Sequence, residues 1–249
     1  MAKVLKTAAA TGLALCVATQ SMAQCSRDAM LVFDGSASMA ELGFGASGPS
    51  RIEEARTAVA EVMPQVAPVR RIGLLTYGPG AADSCRGIQV KFTPRADADR
   101  AVIAEVKALR PAGLTPLTDA VREAAEVLDY RTTPGIIVLV TDGSETCSGA
   151  PCRLGQQLAS TGRDLTVHII GFRLVFDPFS WNSIEAFQAA AAEVQCLADQ
   201  TGGSYVTTET VDELVDALRR TLGCAVVGEL DRWLFGKEVE PRFHLLPPS

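Results

Sequence analysis

The chain has 249 residues, 47% hydrophobic and 21% charged, which fits one ordinary globular domain with ample length for a buried core and excludes a disordered or repetitive chain. Its formal net charge of -6, with no basic run, argues against nucleic acid or an anionic membrane surface as partner, because phosphates and acidic headgroups would repel it.

Residues 1–23 read as a signal peptide. Lys3 and Lys6 form a short cationic start, residues 7–18 are apolar, and Ser21-Met22-Ala23 offers small residues where a signal peptidase cuts. The apolar stretch falls short of the ~20 residues that a membrane-spanning helix needs. Lipidation favours a small residue before the cysteine, and Leu15 and Gln24 precede Cys16 and Cys25. The expectation is an exported protein, periplasmic or extracellular, with no membrane span, a domain over residues 24–224 and a C-terminal tail over 225–249.

From residue 29 onward, strands and helices alternate. Strands are expected over 29–33, 71–77, 88–92, 136–141, 165–172 and 204–207, and helices over 51–63, 96–109, 117–128, 154–159, 183–200 and 211–222. Ser50 with Glu53, and Thr210 with Glu213, have capping-box spacing at the starts of the first and last helices. Short β-rich runs between amphipathic helices imply a doubly wound α/β fold: a mostly parallel six-stranded sheet with helices on both faces. The short 77–88 connection implies one antiparallel edge strand. Such sheets bind ligands beyond the carboxyl ends of the strands, where strand order reverses.

Three segments bring oxygen ligands to that edge. Asp34-Gly35-Ser36-Ala37-Ser38 leaves the first apolar run, Gly113-Leu114-Thr115-Pro116-Leu117 places a hydroxyl in a loop before a helix, and Val138-Leu139-Val140-Thr141-Asp142-Gly143 ends a second buried strand in an acid. Each has a plain reading on its own: strand-ending turns at the two acids, a helical turn at Ser38, a helix cap at Thr115. Together, in this order, they resemble the metal-ion-dependent adhesion site of the von Willebrand factor type A domain, and the resemblance covers about residues 28–222.

The resemblance implies that the Ser36 and Ser38 hydroxyls bind Mg2+ directly, that Thr115 joins when a ligand is engaged, and that Asp34 and Asp142 hold the ion directly or through water. Mn2+ and Ca2+ are the alternative ions. Mg2+ takes octahedral oxygen ligation and gives up its waters reluctantly, so neutral hydroxyls leave it electrophilic. An open coordination position can then take a carboxylate from a protein partner, which makes an adhesion-type binding module, not an enzyme, the expected function. A structural module whose metal orders the loops is one alternative. A metal-assisted hydrolase is another, although no base presents itself.

Other signals are weighed against this. Gly43-Phe44-Gly45-Ala46-Ser47-Gly48 spells G-x-G-x-x-G, but Gly43 lies nine positions beyond Asp34, too far from the strand for a dinucleotide site, and is expected in a flexible loop over the metal. His168 is read as a structural histidine on a strand, and neither it nor His244 has a partner motif for catalysis. Glu145 falls outside the matched set, as a solvated loop acid or a support behind the ligands. Residues 173–181, with Phe176, Phe179 and Trp181, either recognise a partner or pack on the next helix. The tail, with Trp233, Leu234 and Phe235, either wraps the domain or docks a partner.

Beyond the signal, Cys25, Cys85, Cys147, Cys152, Cys196 and Cys224 form an even set, as an oxidising compartment favours. Zinc is disfavoured by the lack of a C-x-x-C pair and by having only two histidines. The expected pairings are Cys147 with Cys152 across a small loop, Cys25 with Cys224 bracketing the domain, and, by elimination, Cys85 with Cys196.

Overall fold

The structure is a computed structural model in which residues 25–42, 48–80, 84–174 and 184–224 are described. The expected signal peptide, most of the glycine string, the aromatic part of the 173–181 loop and the tail lie outside the described residues.

Six strands make one sheet: β1 (Asp28–Asp34), β2 (Ile72–Tyr77), β3 (Gln89–Arg95), β4 (Gly135–Thr141), β5 (Leu165–Phe172) and β6 (Tyr205–Thr208). Their order is β3-β2-β1-β4-β5-β6, and every neighbouring pair is parallel except β2 with β3. This is the doubly wound sheet with one antiparallel edge that the alternation of elements implies. β3 extends beyond its expected end to Arg95, through Pro94. An edge strand tolerates a proline because one of its sides needs no ladder donor, and the register against β2 shifts twice along this pair.

Among the described residues, six α-helices cover the sheet: α1 (Arg51–Val66), α2 (Asp99–Ala108), α3 (Leu117–Val127), α4 (Pro151–Thr161), α5 (Ile184–Gln200) and α6 (Val211–Leu222). β1 shows why both faces are needed. Ala29, Leu31 and Phe33 pack in the core beneath α1, α2 and α6, while Met30 and Val32 pack in the core beneath α3, α4 and α5. A strand buried on both faces reads as a continuous apolar run, without polar alternation. α4 starts earlier than expected, at Pro151, whose missing N–H costs nothing in a first helical turn. α1 continues past Pro64 because Val66 still buries its side chain in the core.

The disulfides are Cys25–Cys224, Cys85–Cys147 and Cys152–Cys196, with Cα separations of 5.3, 5.7 and 4.9 Å. The first is as expected; the pairings Cys147 with Cys152 and Cys85 with Cys196 are corrected. Cys152 sits in the first turn of α4, which packs along α5 and so meets Cys196. Cys147 stays in the loop after β4 and is joined to the β2–β3 connection.

Cys25–Cys224 closes the end of the sheet where the parallel strands begin. Beside it, the buried Arg70 guanidinium donates to the carbonyls of Leu222 at 2.6 Å, Gly223 at 2.7 Å and Arg27 at 2.6 Å. One side chain thus satisfies the carbonyls at the end of α6 that have no helical donor.

Candidate metal centre

The chain runs outward from β1 through β2 to β3 on one side, and from β4 through β5 to β6 on the other, so β1 and β4 flank the reversal of strand order. Open α/β sheets bind their ligands at the carboxyl ends of such a strand pair. Asp34 is the last residue of β1 and Asp142 directly follows β4; Asp34 is fully buried and Asp142 is 6% exposed.

Asp34 is held from three directions. Its Oδ1 accepts the Ser36 N–H at 2.7 Å, and its Oδ2 accepts the Tyr77 hydroxyl at 2.9 Å and the Thr141 hydroxyl at 2.6 Å. Burial and the Asp34 charge push the Tyr77 hydroxyl well above its ordinary pKa, so it stays a donor. Three donors aimed at one carboxylate fix its orientation at the end of β1.

The remaining candidate ligands continue from there. The Ser36 and Ser38 hydroxyls lie 3.1 Å apart, and the Ser38 hydroxyl donates to Asp142 Oδ1 at 2.8 Å. Asp142 Oδ2 accepts from Arg51 at 3.0 Å. Burial, reinforced by the Asp34 charge and opposed by Ser38 and Arg51, pushes the Asp142 carboxyl up to about 6. Two buried acids sharing one end of the sheet favour a cation between them.

Thr115 is buried and joins through its backbone. Its loop is stitched to the first segment by Ala112 N–H to the Gly35 carbonyl at 2.9 Å and Ala37 N–H to the Gly113 carbonyl at 3.1 Å. The loop after β4 holds it from the other side: Thr115 N–H donates to Thr146 Oγ1 at 2.8 Å, and Thr146 N–H donates to the Thr115 carbonyl at 3.1 Å. Gly78 lets β2 close against this knot. Its φ is 107°, and a Cβ there would lie 2.3 Å from the Gly35 carbonyl carbon.

Glu145 supports the centre from behind. Its carboxylate accepts Thr118 N–H and Cys147 N–H, both at 2.7 Å, and so satisfies an amide at the start of α3 that Thr115 does not cap. Sequence reasoning passed over Tyr77, Thr141, Thr146 and Arg51. Tyr77 and Thr141 carry a faint signal, polar groups at the last positions of otherwise apolar strands. Thr146 and Arg51 carry none, since their roles depend on partners 31 and 91 residues away.

Among the described residues, no three His, Cys, Asp or Glu side chains converge as a ligand set. The oxygens that do converge are hard ones, two carboxylates and two serine hydroxyls, the chemistry that suits Mg2+, Mn2+ or Ca2+.

Residues 29–145 match the von Willebrand factor type A domain. The type A match takes in Asp34, Ser36, Ser38, Thr115 and Asp142 and ends at Glu145. Uncharacterized protein YwmD of Bacillus subtilis (strain 168) is 27% identical over 206 residues, which cover 78% of this chain and 84% of that protein. The von Willebrand factor type A structure from Catenulispora acidiphila shares the fold with a TM-score of 0.58 at 16% identity, over 80% of this chain and 42% of that one. Proximal thread matrix protein 1 from the mussel byssus, with a zinc occupied MIDAS motif (the metal-ion-dependent adhesion site), gives a TM-score of 0.53 at 16% identity, over 81% of this chain and 46% of that one. The chain therefore spans less than half of either solved structure.

Proposed function

We propose that this type A domain binds one divalent cation, Mg2+ with Mn2+ or Ca2+ as alternatives, through Ser36, Ser38, Thr115, Asp34 and Asp142, and uses it to engage an acidic side chain of a protein partner. The observation that carries the reading is the spacing of the oxygens. Ser36 Oγ to Ser38 Oγ is 3.1 Å and Ser38 Oγ to Asp142 Oδ1 is 2.8 Å. Oxygens placed 2.0–2.1 Å from Mg2+ in an octahedron are about 2.9 Å apart along each edge, so the three atoms suit adjacent ligand positions. Bound there, the cation supplies an electrophilic centre for a carboxylate.

Two further facts support the reading. The mussel protein of the same fold has zinc at its adhesion motif. The ligand loops here are joined by their own hydrogen bonds, Ala112 to Gly35 and Ala37 to Gly113, which favours a binding role for the metal over one of ordering the loops. Catalysis draws less support: His168, the only histidine among the described residues, is engaged by Ser204. Three disulfides support an exported, oxidising location. Among the described residues, no helix is long and apolar enough to cross a membrane.

The test is affinity capture of partners from the native envelope with Mg2+, with chelator, and with Asp34→Ala. Capture is expected with Mg2+ alone, with circular dichroism showing Asp34→Ala still folded. Capture that survives both chelator and the substitution would sink the proposal.

A further inference from the structure

Arg51 stands where local physics disfavours it. It is the first residue of α1, at the positive end of the helix dipole, where an acid is stabilising and a cation is not. Its side chain is only 13% exposed, and its Nε is buried without a hydrogen-bond partner among the described residues. A residue that breaks two local rules needs an offsetting interaction, and such exceptions gather at functional sites. Here the offset comes from the site. Arg51 Nη1 lies 3.0 Å from Asp142 Oδ2 and 3.1 Å from Glu41, and it points at the Ser38 carbonyl at 3.4 Å.

The charges indicate what this does. Asp34, Asp142 and Glu41 are negative, and Arg51 is the cation that pairs with the last two. The cluster therefore carries a net charge of minus two, which one divalent ion neutralises. Without Arg51 it would carry minus three and attract that ion more strongly. With Arg51 in place, Asp142 has a counter-ion whether or not the metal is bound.

We propose that Arg51 is a built-in counter-ion that competes with the divalent cation for Asp142 and so keeps the metal exchangeable. The inference rests on the metal-binding reading above and adds a determinant of affinity to it. Glu41 moderates Arg51 from the solvent side, where it is 64% exposed.

The test is calorimetric titration of the full chain with Mn2+ at low salt. Arg51→Gln is expected to bind about tenfold more tightly than the parent, because it removes a positive charge within Coulomb reach of the ion. Arg51→Lys keeps the charge and is expected to stay within about twofold of the parent. Glu41→Gln is expected to bind about threefold more weakly, and to converge on the parent at high salt as screening removes the effect. A purely structural role for Arg51 would loosen binding in Arg51→Gln, so equal or weaker affinity there overturns the inference. If Arg51→Gln does not fold, Glu41→Gln decides: affinity equal to or tighter than the parent's overturns it. A parent chain that takes up no Mn2+ brings down the metal-binding reading as well, which distinguishes the two failures.

Discussion

At the scale of single residues, His168 shows how a polar side chain is accommodated on a central strand. Its Nδ1 accepts the Ser204 N–H at 3.1 Å and lies 3.0 Å from the Ser204 hydroxyl, an arrangement that requires the neutral ring. Burial first, then the charges of Arg27 and Arg70, lower its pKa from 6.5 to about 4. The unfolded chain therefore takes up the proton first as pH falls. This contribution to stability is complete above pH 6.5, declines between 6.5 and about 4, and is gone below. At 1.36 kcal/mol per pKa unit, the loss is at most about 3 kcal/mol. Urea unfolding of the parent and of His168→Gln across that window should give a stability difference that shrinks as pH falls. A difference independent of pH would count against this account.

The residues of the candidate metal centre were unequally legible. Asp34, Ser36, Ser38 and Asp142 could be found because each ends or follows an apolar run, and short polar strings at such places stand out. Tyr77 reaches Asp34 from the neighbouring strand, in direct register with it, and Thr141 does so from β4. Cross-strand partnerships of that kind depend on strand order, which no local spacing records.

At the scale of elements, the turn after β4 governs Thr115. Thr146 makes two bonds with it, Glu145 reaches the first turn of α3, and Cys147 fixes the turn to the β2–β3 connection through Cys85. This disulfide thus lies behind Thr115, a proposed metal ligand it never touches. The double substitution Cys85→Ala/Cys147→Ala should weaken Mn2+ binding about three- to tenfold, measured by calorimetry. It should also lower unfolding stability by up to about 4 kcal/mol, the chain-entropy value for a bridged loop of this length. Full metal affinity in a folded double variant would show that the turn positions Thr115 unaided. The pairing escaped sequence reasoning because nearness along the chain favoured Cys152, which the start of α4 at Pro151 turns toward α5. The edge hairpin was legible because 77–88 is too short for a helical crossover, whereas the run of β3 through Pro94 was not, since proline ordinarily marks a strand's end.

At the scale of the whole molecule, the layers could be read from pattern alone: β1, β2 and β4 carry apolar runs without polar alternation, and only a sheet covered on both faces buries such strands. The seam made by Cys25–Cys224 and Arg70 is at the opposite end of that sheet from the acids. Removing it with Cys25→Ala/Cys224→Ala should cost about 2–5 kcal/mol in denaturant unfolding. Mn2+ affinity should remain within about twofold of the parent, since distant sites sharing no partners act independently. A large change in affinity would mean that the two ends of the sheet are coupled.

That same seam has an orientational consequence. Cys25 and Cys224 lie 5.3 Å apart at Cα, so the chain enters and leaves the folded body side by side. The two acids lie toward the far pole, at the carboxyl ends of β1 and β4. Whatever is attached through either end, or both, grips the domain by its base and leaves that pole pointing away, like a lamp held by its stem.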